Sequence, residues 1–253
     1  MKQLFLSLLV LLAFYIANAQ NDTLPRPIIP PSPPKKQNKY SQVDLSNRSN
    51  DHFMFQIGYD SWAGKPDSIH TKGLSRSFNV YLMFDFPFKT DPRFSVGIGA
   101  GVGTGNIYFD KMNVEVAGST STLRFRNLAD TNHFKKYKLA TAYVEAPVEL
   151  RFAANPANTN KSFKLAIGAK VGLLLSAHNK GRILLNKDGG TVNNYVQKES
   201  SKKYFNGNRI CVIGRVGYGV FGLFGSYQIN TFIKEGVGPN VHPYSIGLTI
   251  SGL

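Results

Sequence analysis

The sequence predicts an all-β protein, an eight-stranded antiparallel up-and-down transmembrane β-barrel that follows a disordered N-terminal arm. Two observations predict this fold. Apolar and polar residues alternate with a period of two in eight segments, as in strands whose two faces meet different surroundings. The connections between these segments are alternately long and short, which is typical of bacterial barrels whose termini both face the periplasm.

The chain divides into three predicted parts. Residues 1–19 have the features of a signal peptide, because an apolar run at 4–16 precedes a small-x-small cleavage site at 17–19. Residues 20–50 are rich in proline and lysine, and we expect a periplasmic arm there, since proline cannot donate the hydrogen bonds of a strand ladder. Residues 51–253 are expected to form an outer-membrane barrel.

Each of the eight segments presents an apolar face. In the first five, the alternating apolar positions run from Phe53 to Tyr59, Phe78 to Phe88, Phe94 to Val102, Ala140 to Phe152 and Phe163 to Leu175. The sixth is less regular from Ile210 to Tyr218, the seventh covers Phe221 to Phe232, and the eighth runs from Tyr244 to Ile250. These lengths match the roughly 9 to 11 tilted residues with which a strand crosses the hydrocarbon of a membrane.

The lengths of the connections favour a barrel over a soluble sandwich. The short ones are 89–93, 154–161 and a tight turn near Gly219, whereas the long ones are 62–75, 110–138, 177–208 and 233–241. Short even-to-odd turns and long odd-to-even loops are the rule in bacterial barrels, where the turns are periplasmic and the loops external. A soluble sandwich has no physical reason to sort its loops in this way.

The second face of the predicted strands carries charged residues that should point into the barrel. We expect them to pair as a lumen charge network, since a buried charge is tolerated only when it is paired and hydrogen-bonded. Glycines on the same face of the third segment leave room for the larger side chains. The alternative is that these groups form a gated path for protons or ions. The predicted network comprises Asp85, Glu145, Glu149, Arg151, Lys164, Lys170 and Arg215.

The predicted loops hold much of the excess positive charge, which amounts to 30 basic against 15 acidic residues. Because the chain contains no recognisable nucleic-acid-binding module, we expect outer-membrane lipid and lipopolysaccharide as the anionic partners and no nucleic acid. Basic side chains there can bind lipopolysaccharide phosphates, serve only solubility and lipid contact, or form a specific receptor surface. The residues expected to face lipopolysaccharide are Arg124, Arg126, Lys135, Lys136, Lys138, Arg182, Lys202 and Lys203, and Lys180 and Lys198 lie in the same loops.

Enzymatic signals are weak in this sequence, and we predict neither an enzyme nor a cofactor. The five histidines show no metal-ligand spacing, and a Gly-x-Ser-x-Gly nucleophile motif is missing. Rim catalysis by His70 or His133 is the alternative. Aromatic residues near strand ends are expected to form interfacial girdles. They are Tyr59, Trp62, Tyr108, Tyr218 and Phe232.

The segment from Thr141 to Leu150 contains a Tyr-x-Glu-x-Pro strand, Tyr143-Val144-Glu145-Ala146-Pro147. This motif resembles the hallmark of the PorT-like outer-membrane β-barrel family of Bacteroidota, and the resemblance covers residues 52–253. It implies an outer-membrane barrel, and for some members a part in type IX protein secretion. We therefore expect a structural or interaction role with secretion or surface-assembly proteins as candidate partners; the alternative is a narrow channel for small solutes or ions.

Overall fold

The computed structural model describes Leu45, Arg48 and residues 53–251. The predicted signal peptide lies outside the described residues, and so does the predicted arm apart from Leu45 and Arg48. Within the described part, no helix combines the length and apolar character needed to cross a membrane.

The described residues form eleven strands, and eight of them close a ring in which every neighbour is antiparallel. The ring order is β1, β2, β3, β6, β7, β9, β10 and β11, and β11 pairs back onto β1. The strands are β1 (Phe53–Ala63), β2 (Arg76–Pro87), β3 (Phe94–Phe109), β4 (Met112–Val114), β5 (Phe125–Asn127), β6 (His133–Ala153), β7 (Phe163–Leu185), β8 (Thr191–Ser200), β9 (Asn208–Tyr218), β10 (Phe221–Gln228) and β11 (His242–Ser251). The predicted eight-stranded barrel is confirmed.

The outside of the ring is apolar, and we call this surface the apolar belt. Leu248, Ile167 and Ile57, for example, are each more than 60 % exposed, although large aliphatic residues are normally buried. A closed ring leaves no unpaired strand edge, which lipid requires because it offers the backbone no hydrogen bonds. The belt includes Ile57, Phe78, Leu82, Phe84, Ile98, Val102, Val144, Val148, Ile167, Val171, Leu173, Leu175, Val212, Leu223, Ile246 and Leu248.

The connections differ in length at the two ends of the ring. Gly219, with φ of +62°, provides the positive φ that a tight hairpin between β9 and β10 needs. A single 3₁₀ turn at Thr159–Lys161 lies between β6 and β7. These turns define the short-turn end, and the four longer connections define the long-loop end.

Two strands extend into connections that the sequence predicts as loops. β6 begins at His133, within the predicted connection 110–138, and β7 continues to Leu185, within 177–208, whereas β3 ends at Phe109, just before the predicted connection. The alternation of apolar and polar residues stops in these extensions because no lipid covers them. The extensions of β6 and β7 pair with each other, and β8 pairs with the extension of β7. These three segments form a sheet that protrudes beyond the ring at the long-loop end, which we call the protruding sheet.

The seventh predicted segment is shorter in the structure, since β10 ends at Gln228. Beyond it the Asn230 side chain accepts a hydrogen bond from the backbone N–H of Ile210 (2.9 Å) and donates one to the carbonyl of Asn208 (2.8 Å). These side-chain bonds replace the strand ladder and allow the chain to turn over the mouth of the barrel.

Candidate functional site

The interior of the barrel is filled by ion pairs arranged in layers, beginning with Glu145 at its centre. The Glu145 carboxylate, contributed by β6, lies 3.0 Å from Nζ of Lys170 on β7 and 3.0 Å from Nη1 of Arg209 on β9. The Tyr81 hydroxyl donates a hydrogen bond to it and accepts one from Lys170 (3.1 Å). The Glu145 side chain has no exposed surface, so this layer is fully enclosed.

A second layer lies four residues further along β6, around Glu149. Arg215 donates to the two Glu149 carboxylate oxygens at 2.6 and 3.0 Å, as a planar guanidinium can. Arg151 donates to the same carboxylate at 2.9 Å. Glu149 is thereby paired on two sides, as burial of a carboxylate requires.

The third layer closes the short-turn end and involves a residue from before the barrel. Arg48 donates two hydrogen bonds to Asp85 (2.6 and 2.9 Å) and one to the carbonyl of Pro92 (2.7 Å). Arg151 lies 3.5 Å from the other oxygen of Asp85 and links this layer to Glu149. Lys164 lines the cavity next to Arg151 and Arg215. The predicted network residues therefore line one lumen, and Arg48, Arg209 and Tyr81 complete it.

Glycines of β3 provide the space that these layers occupy. A Cβ on Gly103 would approach the Glu145 carboxylate within 2.6 Å, and one on Gly97 would meet the guanidinium of Arg151. A Cβ on Gly101 would meet the backbone around Tyr81. The glycine-rich face of the third strand is thus complementary in shape to the charged side chains opposite it.

Above the ion pairs the character of the interior changes to apolar. Asp60 accepts a hydrogen bond from the Ser245 hydroxyl (2.6 Å), and the guanidinium of Arg209 lies 5.0 Å from the ring centroid of Tyr143. Beyond Tyr143, side chains from all four long connections pack into one core over the barrel mouth. We call this core the cap cluster; it comprises Trp62, Ile69, Ile107, Phe109, Met112, Val114, Val116, Leu123, Tyr137, Leu139, Tyr143, Leu174, Ala177, Tyr204, Phe205, Phe232, Ile233 and Val241.

Hydrogen bonds between the long connections fasten the cap cluster. The Tyr204 hydroxyl lies 2.6 and 2.7 Å from the carbonyl oxygens of Gly118 and Thr120, and the N–H of Leu123 donates to Val237 (2.7 Å). Tyr137 accepts from the N–H of Val114 (2.9 Å), and burial raises the pKa of its hydroxyl. The four connections therefore form one packed unit.

The basic residues predicted to face lipopolysaccharide fall into two groups. Lys136, Lys138 and Arg182 point outward from the extensions of β6 and β7, on the face continuous with the apolar belt. The others lie elsewhere. Arg126 pairs with Glu115, and Lys203 donates a hydrogen bond to the Thr120 carbonyl (3.0 Å). Arg124 and Lys202 are exposed on the long connections that form the cap cluster, and Lys135 lies on the opposite face of β6.

The predicted aromatic girdle is wrong for two residues. Trp62 and Phe232 are each only 4 % exposed and pack against each other in the cap cluster, with ring centroids 5.5 Å apart. Tyr59 and Tyr218 are exposed on the outside of the ring. Proximity to a strand end does not separate an aromatic residue that faces lipid from one that folds over the mouth.

The histidines considered for rim catalysis are not brought together as a site. His70 is exposed, whereas His133 is buried with Nδ1 3.1 Å from the carbonyl oxygen of Thr131. In the part of the chain that the structure describes, no group of three or more His, Cys, Asp or Glu side chains could hold a metal ion.

Two solved structures are similar to most of the chain. The crystal structure of Ail, the attachment invasion locus protein of Yersinia pestis, in complex with the heparin analogue sucrose octasulfate is similar, with 11 % identity over 80 % of this chain and 97 % of that chain and a TM-score of 0.33. Neisserial surface protein A is similar over 79 % of this chain and 96 % of that one, with 13 % identity and a TM-score of 0.29. No curated protein sequence matches the chain.

A family comparison covers most of the chain. The profile of the family described as outer membrane protein beta-barrel domain matches residues 37–234. The match includes strands β1 to β10 of the barrel described above. The chain therefore belongs to this family of outer-membrane β-barrel proteins.

Proposed function

We propose that this protein is a closed outer-membrane scaffold that presents an interaction surface at its long-loop end. The observation that carries the proposal is the cap cluster above a lumen filled with ion pairs. A barrel built in this way offers a folded surface rather than a passage. The same observation counts against the alternative of a narrow channel.

The orientation follows from the rule for bacterial barrels, which places short turns in the periplasm and long loops outside. On this basis the cap cluster and the protruding sheet of β6, β7 and β8 face the cell exterior, and both termini lie in the periplasm. Basic loop residues then contact outer-membrane lipid and lipopolysaccharide.

The protruding sheet supports a protein-binding role. Val192 and Val196 of β8 are 53 and 54 % exposed, although they lie beyond the apolar belt. The strand pairs with β7 on one side only within the described residues, so its second edge offers unpaired backbone groups. Exposed apolar side chains beside a free strand edge are typical of a surface that binds another protein.

Affinity purification from native outer membranes tests the proposal. The tagged protein is extracted in mild detergent, and bound proteins are quantified by mass spectrometry for the wild type, a V192S/V196S variant and an N193S/N194S control in the same strand. We expect a stoichiometric partner that the control retains and V192S/V196S loses. Recovery of the barrel with lipid alone would contradict the interaction role.

An accessory role in protein secretion is the more specific form of the proposal. Deletion of the gene should then leave secreted cargo in the periplasm, and complementation should restore its export. Normal export in the deletion strain would exclude secretion and leave the scaffold role to be decided by the purification.

A further inference from the structure

Basic residues lie directly opposite one another on three neighbouring strands of the protruding sheet. Lys138 of β6 pairs with Lys180 of β7, and Lys180 pairs with Lys198 of β8, all on the outward face. Opposed like charges destabilise a sheet. We call Lys138, Lys180 and Lys198 the like-charge row.

More positive charge surrounds the row. On the same outward face, Arg76 lies one position closer to the apolar belt, and Lys136 opposes Arg182 one position farther away. Arg76 and Lys138 also approach the Tyr108 ring, with 5.9 and 5.8 Å to its centroid.

Acidic side chains do not compensate this charge. Among the described residues, no ion pair involves a lysine of the like-charge row. Asp110 lies beside the row and is paired with Lys72 (2.9 Å), and Glu199 is on the opposite face, where it bonds Asn179. Burial and the neighbouring charges of Lys180 and Arg76 lower the pKa of the Lys138 amine, as expected where cations lie close together without a counter-charge.

The position of the face identifies the kind of anion. Arg76 lies two residues beyond Phe78, which is 48 % exposed within the apolar belt, so the basic face begins about 7 Å along the strand from lipid-contacting residues. Lysine side chains can extend from such positions toward the membrane surface. Phosphate groups of the outer-leaflet glycolipids lie in this polar zone.

We propose that the like-charge row, with Arg76, binds the phosphates of a phosphorylated glycolipid of the outer leaflet, the lipid A portion of lipopolysaccharide. The proposal rests on the orientation given in the proposed function and defines which basic residues make the lipid contact. Three lysines and an arginine donate charge-assisted hydrogen bonds to phosphate oxygens, and the phosphates supply the negative charge that the sheet lacks. The capping-loop residues Arg124 and Lys202 take no part.

Binding of lipid A to the purified barrel tests this inference. Native mass spectrometry counts retained lipid after incubation with bisphosphorylated lipid A, with dephosphorylated lipid A, or with inorganic phosphate. A K138Q/K180Q/K198Q variant removes the row, and an R124Q/K135Q/K202Q variant removes the same charge elsewhere. We expect about tenfold weaker binding of bisphosphorylated lipid A by the row variant, unchanged binding by the control, and weak binding of the other two ligands.

A stability measurement separates a binding role from a structural one. Without lipid A, the row variant should unfold at a urea concentration equal to or above that of the wild type, because like-charge repulsion is removed. Undiminished lipid A binding by the row variant would overturn the inference, and so would equal binding of dephosphorylated lipid A. None of these outcomes depends on a protein partner, so the scaffold role is tested separately.

Discussion

Neutralising Glu145 should weaken the barrel more than any exposed charge change. In E145Q the buried cations Lys170 and Arg209, only 4 and 11 % exposed, lose the carboxylate that lies 3.0 Å from each. Their remaining contacts are to uncharged groups, the Tyr81 hydroxyl at 3.1 Å and the Cys211 sulfur at 3.3 Å. Breaking a buried ion pair on one side costs about 3–5 kcal/mol. We take the upper half of this range, because one substitution affects two cations.

Urea unfolding in lipid vesicles measures this loss through the fluorescence of Trp62, the single tryptophan, which is buried in the cap cluster. With a slope of about 3 kcal/mol per M, the midpoint should fall by roughly 1.3–1.7 M. E115Q is the matched control, since it breaks the exposed pair with Arg126 and should cost at most about 1 kcal/mol. An E145Q midpoint no lower than that of E115Q would refute the reasoning.

Three further outcomes follow from the structure. G101A should prevent folding, because the added Cβ would meet the backbone of β2, whereas G225A should fold, because no atom lies within 4 Å of its Cβ. Heat-modifiable migration on gels distinguishes folded from unfolded barrels, and equal folding of the two variants would contradict this packing. R48A should cost about 1.5–3 kcal/mol through the lost bonds to Asp85, and an unchanged urea midpoint would exclude this contact. Burial, with the like-charge row, lowers the pKa of His178, so the hairpin of β7 and β8 should lose stability as the pH falls below about 6.5. Protease cleavage of this hairpin should rise on acidification in the wild type and not in H178Q.

The barrel was predictable because lipid and lumen impose opposite requirements on alternate residues. Runs such as Phe78 to Phe88 show these requirements as alternating apolar and polar residues, and the loop lengths indicate the end of the barrel at which each connection lies. The extensions of β6 and β7 lack this alternation, because both of their faces lie outside the membrane. The three-residue strands β4 and β5 and the longer strand β8 fall within predicted loops for the same reason.

The lumen network was predictable in part. Its predicted members share the inward side of their strands, which alternation alone assigns. Arg209 lies on the same side of β9 as Arg215, but it precedes Ile210, where the sixth apolar run begins, so alternation does not assign it to the lumen. Arg48 precedes the first strand, and no periodicity marks its contact with Asp85. The like-charge row could not be predicted, since it depends on the register between β6, β7 and β8.

Single-channel recording on the purified barrel in a planar bilayer tests the central claim most directly. A lumen occupied by the Glu145 and Glu149 ion pairs and covered by the cap cluster predicts no steady conductance above the lipid baseline. Steady current steps that change ion selectivity in R215E would contradict the account, because they would require an open path past Glu149.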